Sequence, residues 1–145
     1  MSAGTRRSVL FGVAAVLLSF GAPATAQQSG QLRVTVRYTG QGAVDATHEL
    51  FVWAFDTPQI TNDTVAVATA SITSNGGTAA LTGLPARVYI AAAYDEKGEY
   101  DGTSGPPPAG TPVVIYGEGG QAKPVPSGGP EASVVVTFDA THRAR

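Results

Sequence analysis

The acidic segment after residue 94 holds three carboxylates at spacings that suit a metal ion. Asp95, Glu99 and Asp101 occupy positions 1, 5 and 7 of a short loop, although Lys97 stands at position 3, where a calcium loop needs a ligand. Calcium binds about six to eight oxygen atoms, and alternate carboxylates on a tight loop supply several of them. These three carboxylates are therefore the candidate calcium ligands. The more ordinary interpretation is a solvated hairpin tip.

A second group of residues suits binding rather than catalysis. Tyr100 and Tyr116 flank a glycine-bounded loop that contains Pro106, Pro107 and Pro108. Three consecutive prolines hold the chain in a stiff polyproline II conformation, and tyrosine rings on rigid loops give contact area at a low cost in entropy. We therefore name these five residues as candidate binding residues. The alternative is that the rings only cover the end of the fold.

Residues arranged for nucleophilic or zinc catalysis are scarce, although two of the eleven carboxylates could converge as an acid–base pair. The chain has no cysteine and no Gly-x-Ser-x-Gly motif, and neither His48 nor His142 has a metal-ligating partner at close helical or strand spacing. A catalytic zinc needs about three protein ligands, and a serine nucleophile needs a positioned base. We therefore predict that the protein is not an enzyme, with a small hydrolase as the weakest alternative.

Residues 1–26 have the pattern of an export signal. Arg6 and Arg7 precede an apolar run of twelve residues, Val9 to Phe20, and Ala24-Thr25-Ala26 forms a small-residue cleavage site. As a helix the run covers about 18 Å, which is short of the ~30 Å hydrocarbon core of a membrane. We therefore predict a signal peptide of the Sec or twin-arginine type, a periplasmic or secreted product, and no membrane anchor after cleavage.

Composition and charge narrow the class of protein further. Of the 145 residues, 43% are hydrophobic and 14% are charged, and 18 are glycine and 10 proline. Beyond residue 26 the chain keeps seven basic and eleven acidic residues, a formal charge of −4. A mildly acidic chain without a basic stripe is not expected to bind nucleic acid. Because cysteine is absent, a hydrophobic core must hold the fold without disulfides.

Alternation with a period of two dominates the rest of the chain. Leu32, Val34 and Val36 alternate with polar residues, which is typical of a strand with one buried face. Similar runs predict strands over residues 32–38, 50–55, 64–72, 78–82, 87–94, 113–116 and 132–139. Glycine and proline separate the runs, and Asn75-Gly76-Gly77 predicts a short hairpin.

Short strands with these turns predict a single all-β domain over residues 27–145. We expect an antiparallel β-sandwich of about seven strands over residues 31–140, with long Gly/Pro-rich loops, and a closed barrel is the alternative. Strand register and sheet order stay open, because a slip of one residue exchanges the two faces of a strand.

The second predicted strand is apolar on both faces. Phe51, Trp53 and Phe55 share one face, and aromatic residues in this pattern are typical of a core. The opposite face, Leu50, Val52 and Ala54, then needs a cover. The Pro-rich loop, a partner domain or a second copy in a homodimer would each provide one.

A corner in the middle of the chain carries a family resemblance. Residues 83–92, Gly-Leu-Pro-Ala-Arg-Val-Tyr-Ile-Ala-Ala, look like the G-x-L-P-x-G-x-Y-x-V corner of carboxypeptidase-regulatory-like and transthyretin-like modules of secreted bacterial proteins. Ala86 or Arg87 stands where those modules have the second glycine. The resemblance implies an Ig-like or transthyretin-like sandwich that serves as a binding or structural module. The C-terminal Tyr-Arg-Gly-Ser of the transthyretin-related hydrolases is absent, so their activity is not implied.

Together these patterns predict an exported, non-enzymatic binding or structural module. We expect it to contact a protein or a carbohydrate through the loops around residues 95–120. The alternative is a structural domain stabilised by calcium at the acidic loop 95–101, with no organic ligand.

Overall fold

The computed structural model describes residues 30–145, so the export signal predicted for residues 1–26 lies outside the described residues. The described chain forms strands and turns but no helix. In chain order the strands are β1 (Gly30–Tyr38), β2 (Leu50–Phe55), β3 (Ala68–Ile72), β4 (Thr78–Leu84), β5 (Arg87–Tyr94), β6 (Val113–Ile115), β7 (Gly117–Glu118), β8 (Gln121–Ala122), β9 (Val125–Pro126) and β10 (Ser133–Phe138). Residues 30–145 therefore contain no long apolar helix of the kind that spans a membrane.

The strand β1 lies at the centre of a three-stranded sheet with the order β10–β1–β4. It runs antiparallel to β4, where Leu32 faces Leu81, and parallel to β10, where Val34 faces Val134. A parallel pair requires a long crossover between its strands. Here all the other strands lie between β1 and β10 in the chain and provide that crossover. Among the strand pairs within residues 30–145, this pair is the one departure from antiparallel pairing.

The strands β2 and β5 form the centre of a five-stranded sheet. Its order is β3–β2–β5–β6, and β9 pairs with the beginning of β5. Along the central pair, Phe51 lies opposite Ala93 and Trp53 opposite Ala91. The small alanine side chains leave room for the rings on the neighbouring strand. Every residue of β2 is buried.

The two sheets pack face to face around an apolar core. Leu32, Val34 and Val36 of β1 meet Leu50 and Val52 of β2 there, and each of these residues is at most 1% exposed. The alternation that predicted one buried face of β1 arises from this packing. The structure confirms the prediction of an all-β, sandwich-like fold and shows no barrel.

The turn Asn75-Gly76-Gly77 connects the two sheets, and the prediction of a hairpin there was wrong. β3 and β4 flank this turn but belong to different sheets. The amide side chain of Asn75 accepts a hydrogen bond from Tyr38 N at 2.8 Å and donates one to Tyr38 O at 2.6 Å. The turn therefore pairs with the end of β1, while the chain crosses from one sheet to the other.

The predicted strand over residues 64–72 is shorter than expected. Thr64 closes a turn that begins at Thr61, in which Thr61 N donates to Thr64 Oγ1 at 2.9 Å and Thr64 N donates to Thr61 O at 3.1 Å, and residues 65–67 lie outside any strand. Hydroxyl groups at this spacing compete with strand pairing for the backbone. β3 consequently begins only at Ala68.

A second apolar cluster lies on the outer face of the five-stranded sheet. Phe51, Trp53 and Phe55 are buried there, on the opposite side of β2 from the core between the sheets. The aromatic residues are buried as predicted. The prediction that the aliphatic face of β2 needs a separate cover was wrong, because it is the aromatic face that lies outside the core between the sheets. The aliphatic face of β2 is covered by the other sheet.

Candidate binding surface

The side chain of Asp95 closes the turn that follows β5. Its carboxylate accepts hydrogen bonds from the backbone N–H groups of Gly98 at 3.0 Å, Glu99 at 3.3 Å and Tyr100 at 3.1 Å. Asp95 is only 5% exposed, and Gly98 adopts a φ of 71° to complete the turn. A carboxylate with three N–H donors fixes the path of the chain as it leaves the sheet.

The ring of Tyr100 anchors the next part of the loop to the aromatic cluster. It meets Phe51 edge to face, with ring centroids 5.2 Å apart, and lies 6.2 Å from the ring of Trp53. Its hydroxyl donates to the carbonyl of Gly105. Burial, followed by the nearby charge of Asp101, raises the pKa of Tyr100. The side chain therefore holds the beginning of the proline loop against the sheet.

The side chain of Asp101 shapes a second turn at the surface. It accepts hydrogen bonds from Thr103 N and Ser104 N, both at 2.8 Å, and from Ser104 Oγ at 2.6 Å. These donors stabilise the charged form, with the Ser104 hydroxyl contributing most, and lower the pKa of Asp101 to about 2. The carboxylate is exposed. Its hydrogen bonds organise residues 101–104, the segment between Tyr100 and the Gly105 carbonyl that the Tyr100 hydroxyl contacts.

Gly102 covers the aromatic cluster from outside. Its carbonyl accepts a hydrogen bond from Trp53 Nε1 at 3.2 Å, which satisfies the only polar atom of the indole. The residue is buried, with a φ of 80°, and a Cβ at this position would lie 2.5 Å from Phe51 Cδ1. Ile60 and Ala66 pack against the same cluster. The chain's own loops thus provide cover for the aromatic face.

The prolines stand at the surface beyond these anchors. We call residues 105–110 the proline ridge; Pro106 and Pro108 are exposed in it, and Pro107 is half-buried. Gly105 and Gly110 bound the ridge with φ values of 98° and 89°, a left-handed conformation that favours glycine. The ridge therefore projects three stiff residues between two sharp changes of chain direction.

The C-terminal segment fastens the far end of the proline ridge. Gly110 N donates to Ala144 O at 2.8 Å, and Ala144 N donates to Thr111 O at 2.8 Å. Arg143 Nη1 donates to Gly110 O at 2.6 Å and to Glu96 Oε2 at 2.9 Å. Both ends of the ridge are consequently bound to other parts of the fold.

A small groove separates the Asp95 turn from the proline ridge. Its volume is about 90 Å³, and its lining includes Lys97, Glu99, Tyr100, Pro108 and Arg143. Small-molecule sites occupy roughly 300–1,000 Å³. The groove is therefore suited to a single protruding side chain of a partner rather than to a complete organic ligand.

The structure brings together most of the predicted binding residues, but not all of them. Tyr100 and the three prolines lie on one loop, whereas Tyr116 packs against the core between the sheets. Tyr116 therefore lies on the other face of the five-stranded sheet from Tyr100. No local sequence pattern indicated a role for Arg143, because its hydrogen-bond partners Glu96 and Gly110 lie 47 and 33 residues away in the chain.

The predicted calcium ligands do not converge in this structure. Asp95 and Asp101 direct their carboxylates to the N–H groups of their own turns, and Glu99 is exposed. Within residues 30–145, no three His, Cys, Asp or Glu side chains are grouped so that they could hold a metal ion. His48 pairs with Asp45, with 3.0 Å between Nδ1 and Oδ1.

We expect the thermal stability of the domain to be independent of calcium. The carboxylate oxygens of Asp95 and Asp101 already accept hydrogen bonds from backbone N–H groups, which a cation would have to displace. A melt of residues 27–145 in EDTA, repeated across a calcium titration, measures this directly. A saturable rise in the midpoint, on the order of 10 °C at 100 times Kd and absent from Asp95→Ala and Asp101→Ala, would instead establish a calcium site.

We expect Asp101 to titrate with a midpoint of about 2, well below its ordinary value of 3.8. Its pKa is lower in the folded state, so its hydrogen bonds stabilise the turn above the unfolded pKa. That contribution is lost as the pH falls toward the folded pKa. The amide shifts of Thr103 and Ser104 in an NMR titration report the midpoint. A midpoint near 3.8 would show that these hydrogen bonds do not persist in solution.

The fold and the loops define a class of protein: a small all-β domain with an anchored loop surface at one end. Comparisons of the chain with protein families, with curated proteins and with solved structures found no match.

Proposed function

We propose that the protein is an exported, non-enzymatic binding module that contacts a partner protein through the proline ridge. The export part of the proposal rests on the signal-like pattern of residues 1–26. The binding part rests on one observation: a run of three prolines, two exposed and one half-buried, whose loop is held at both ends by other parts of the fold. The resemblance of residues 83–92 to secreted binding modules is consistent with both parts.

The anchoring of the proline ridge favours binding, because ordering a flexible segment on association costs entropy. Each rotamer-rich side chain that is immobilised on binding costs about 0.5–1.5 kcal/mol, and a rigid loop avoids much of that cost. Proline adds little rotamer entropy, and an extended run of prolines docks readily into aromatic-lined grooves of partner proteins. The proline ridge combines both properties, which favours a partner protein with such a groove.

The size of the neighbouring groove supports binding over catalysis. At about 90 Å³ it has no room to enclose a substrate, and its charged residues are largely paired or exposed. Glu96 and Arg143 form an ion pair at 2.9 Å beside it. Such a groove suits a contact that extends the proline ridge, for example by receiving one side chain from the partner.

A pair of matched triple variants tests this function. Pro106→Ala/Pro107→Ala/Pro108→Ala removes the ridge, whereas replacing the exposed prolines of three other loops by alanine removes the same number of rings elsewhere. The control triple is Pro58→Ala/Pro124→Ala/Pro130→Ala. The immobilised wild-type domain and both variants are used to capture proteins from an envelope extract of the source cells, and retained proteins are quantified by mass spectrometry.

We expect at least one protein to be retained by the wild type and by the control triple but lost from the ridge triple. A reconstituted complex of that protein with the domain should then show the same order of affinities. If the three baits retain the same proteins, the proline ridge is not the contact surface. If the wild-type domain binds glycans on an array of neutral glycans and the ridge triple does not, the partner is a carbohydrate instead.

A further inference from the structure

The outer face of the three-stranded sheet has a charge opposite in sign to that of the chain as a whole. On its central strand β1, Arg33 and Arg37 are exposed and point away from the core, with Thr35 between them. None of the eleven acidic residues of the chain lies on β1, β4 or β10. Glu131 and Asp139, the nearest in sequence, lie beyond the two ends of β10.

Both arginines are free to bind a ligand. The ion pairs found within residues 30–145 are Asp45–His48 and Glu96–Arg143, so neither Arg33 nor Arg37 is paired there with a carboxylate. The arginine guanidinium binds a carboxylate with two parallel hydrogen bonds. Four residues along a strand place the two Cα atoms about 13 Å apart. This separation suits two acidic groups on one extended chain.

Apart from Val135, the rest of the face carries hydroxyl groups and small side chains. Thr78 and Ala80 of β4 lie beside Thr35 and Arg33, and Ser133 and Thr137 of β10 lie beside Arg33 and Arg37. The hydroxyls of Thr35 and Thr78 are 2.7 Å apart. Hydroxyl groups both donate and accept hydrogen bonds, so this surface can pair with the hydroxyls of a sugar chain that lies across it.

We propose that this face binds a linear acidic polysaccharide, whose uronic-acid carboxylates pair with Arg33 and Arg37. A lipid surface is disfavoured, because the only large apolar residue exposed on the face is Val135, and interfacial binding needs a broad apolar side. Nucleic acid is disfavoured, because two arginines on an acidic chain give little of the phosphate neutralisation that such binding requires. The proposal is independent of the proline ridge.

The test compares two double variants that lose the same charge. Arg33→Gln/Arg37→Gln removes both guanidinium groups from the face, and Arg87→Gln/Arg145→Gln removes two exposed arginines that lie elsewhere. The full mature chain is titrated with polygalacturonate by calorimetry, with dextran as the neutral polymer. Exposed substitutions of this kind change stability little, which a melt of each variant verifies.

We expect the wild type and the control variant to bind polygalacturonate with similar affinity and dextran not at all. The face variant should bind at least about tenfold more weakly, since two charge-assisted pairs are lost. Equal weakening of the two variants, or no binding by the wild type, would overturn the proposal. Binding of the wild type to phosphatidylglycerol vesicles or to an RNA oligonucleotide, but not to polygalacturonate, would assign the face to a different ligand and also overturn it.

Discussion

Replacing Gly102 with alanine should lower the free energy of unfolding by about 3 kcal/mol. A left-handed φ costs a residue with a Cβ about 1–2 kcal/mol, and forcing extra volume against a packed side chain typically costs about 1–3 kcal/mol. Both apply here, because φ is 80° and the new Cβ would lie 2.5 Å from Cδ1 and 2.7 Å from Cε1 of Phe51. Urea unfolding followed by the fluorescence of Trp53 measures the loss.

Gly105→Ala is the matched control for this prediction. Gly105 has a φ of 98°, and a Cβ there would have no atom within 4 Å. The control variant therefore carries the backbone strain without the collision with Phe51. If the two variants lose the same stability, the loop does not press on the aromatic cluster, and the proposed cover of that cluster is wrong. A larger loss for Gly102→Ala isolates the packing contribution.

Replacing Asp95 with alanine should cost about 3 kcal/mol. The buried carboxylate accepts hydrogen bonds from three part-buried backbone N–H groups, and each buried donor left without a partner costs about 1–3 kcal/mol, less where water can enter. We also expect the amide protons of Gly98 and Tyr100 to lose their protection from exchange. Urea unfolding gives the loss of stability, and hydrogen exchange shows where it arises.

Asp101→Ala is the comparison for this second variant. Its carboxylate also accepts hydrogen bonds from three donors, but it stands in water, where the freed donors are resolvated. Its loss of stability should therefore be much smaller than that of Asp95→Ala. Equal losses would mean that the Asp95 turn is open to solvent, and the proline ridge would then lack its fixed starting point.

The local patterns of this sequence predict its strands well, because strand alternation is a local property. The alternation at Leu32, Val34 and Val36 matches β1 and its buried face. The pairing of strands is decided by distant residues. Asn75-Gly76-Gly77 has the composition of a hairpin, yet the side chain of Asn75 binds Tyr38 and directs the turn between the sheets. The parallel pairing of β10 with β1 is likewise absent from any local signal.

The candidate site was predictable in its residue types but not in their orientation. The spacing of Asp95, Glu99 and Asp101 is equally compatible with carboxylates that face a cation and with carboxylates that face their own backbone. The structure has the second arrangement for both aspartates. The same limit applies to Tyr116, which follows the last residue of β6, because the face of the sheet that its ring covers depends on the register of that strand.

The proposed binding depends on the proline ridge and the turns beside it forming a rigid, preorganised surface. Backbone ¹⁵N relaxation of residues 27–145 tests this rigidity most directly. We expect order parameters near 0.85, typical of rigid backbone, at Gly98, Tyr100, Ser104 and Gly110, and lower values at Gly119 in an unanchored hairpin tip. Values below about 0.6 throughout residues 98–110 would show a flexible loop and contradict the account.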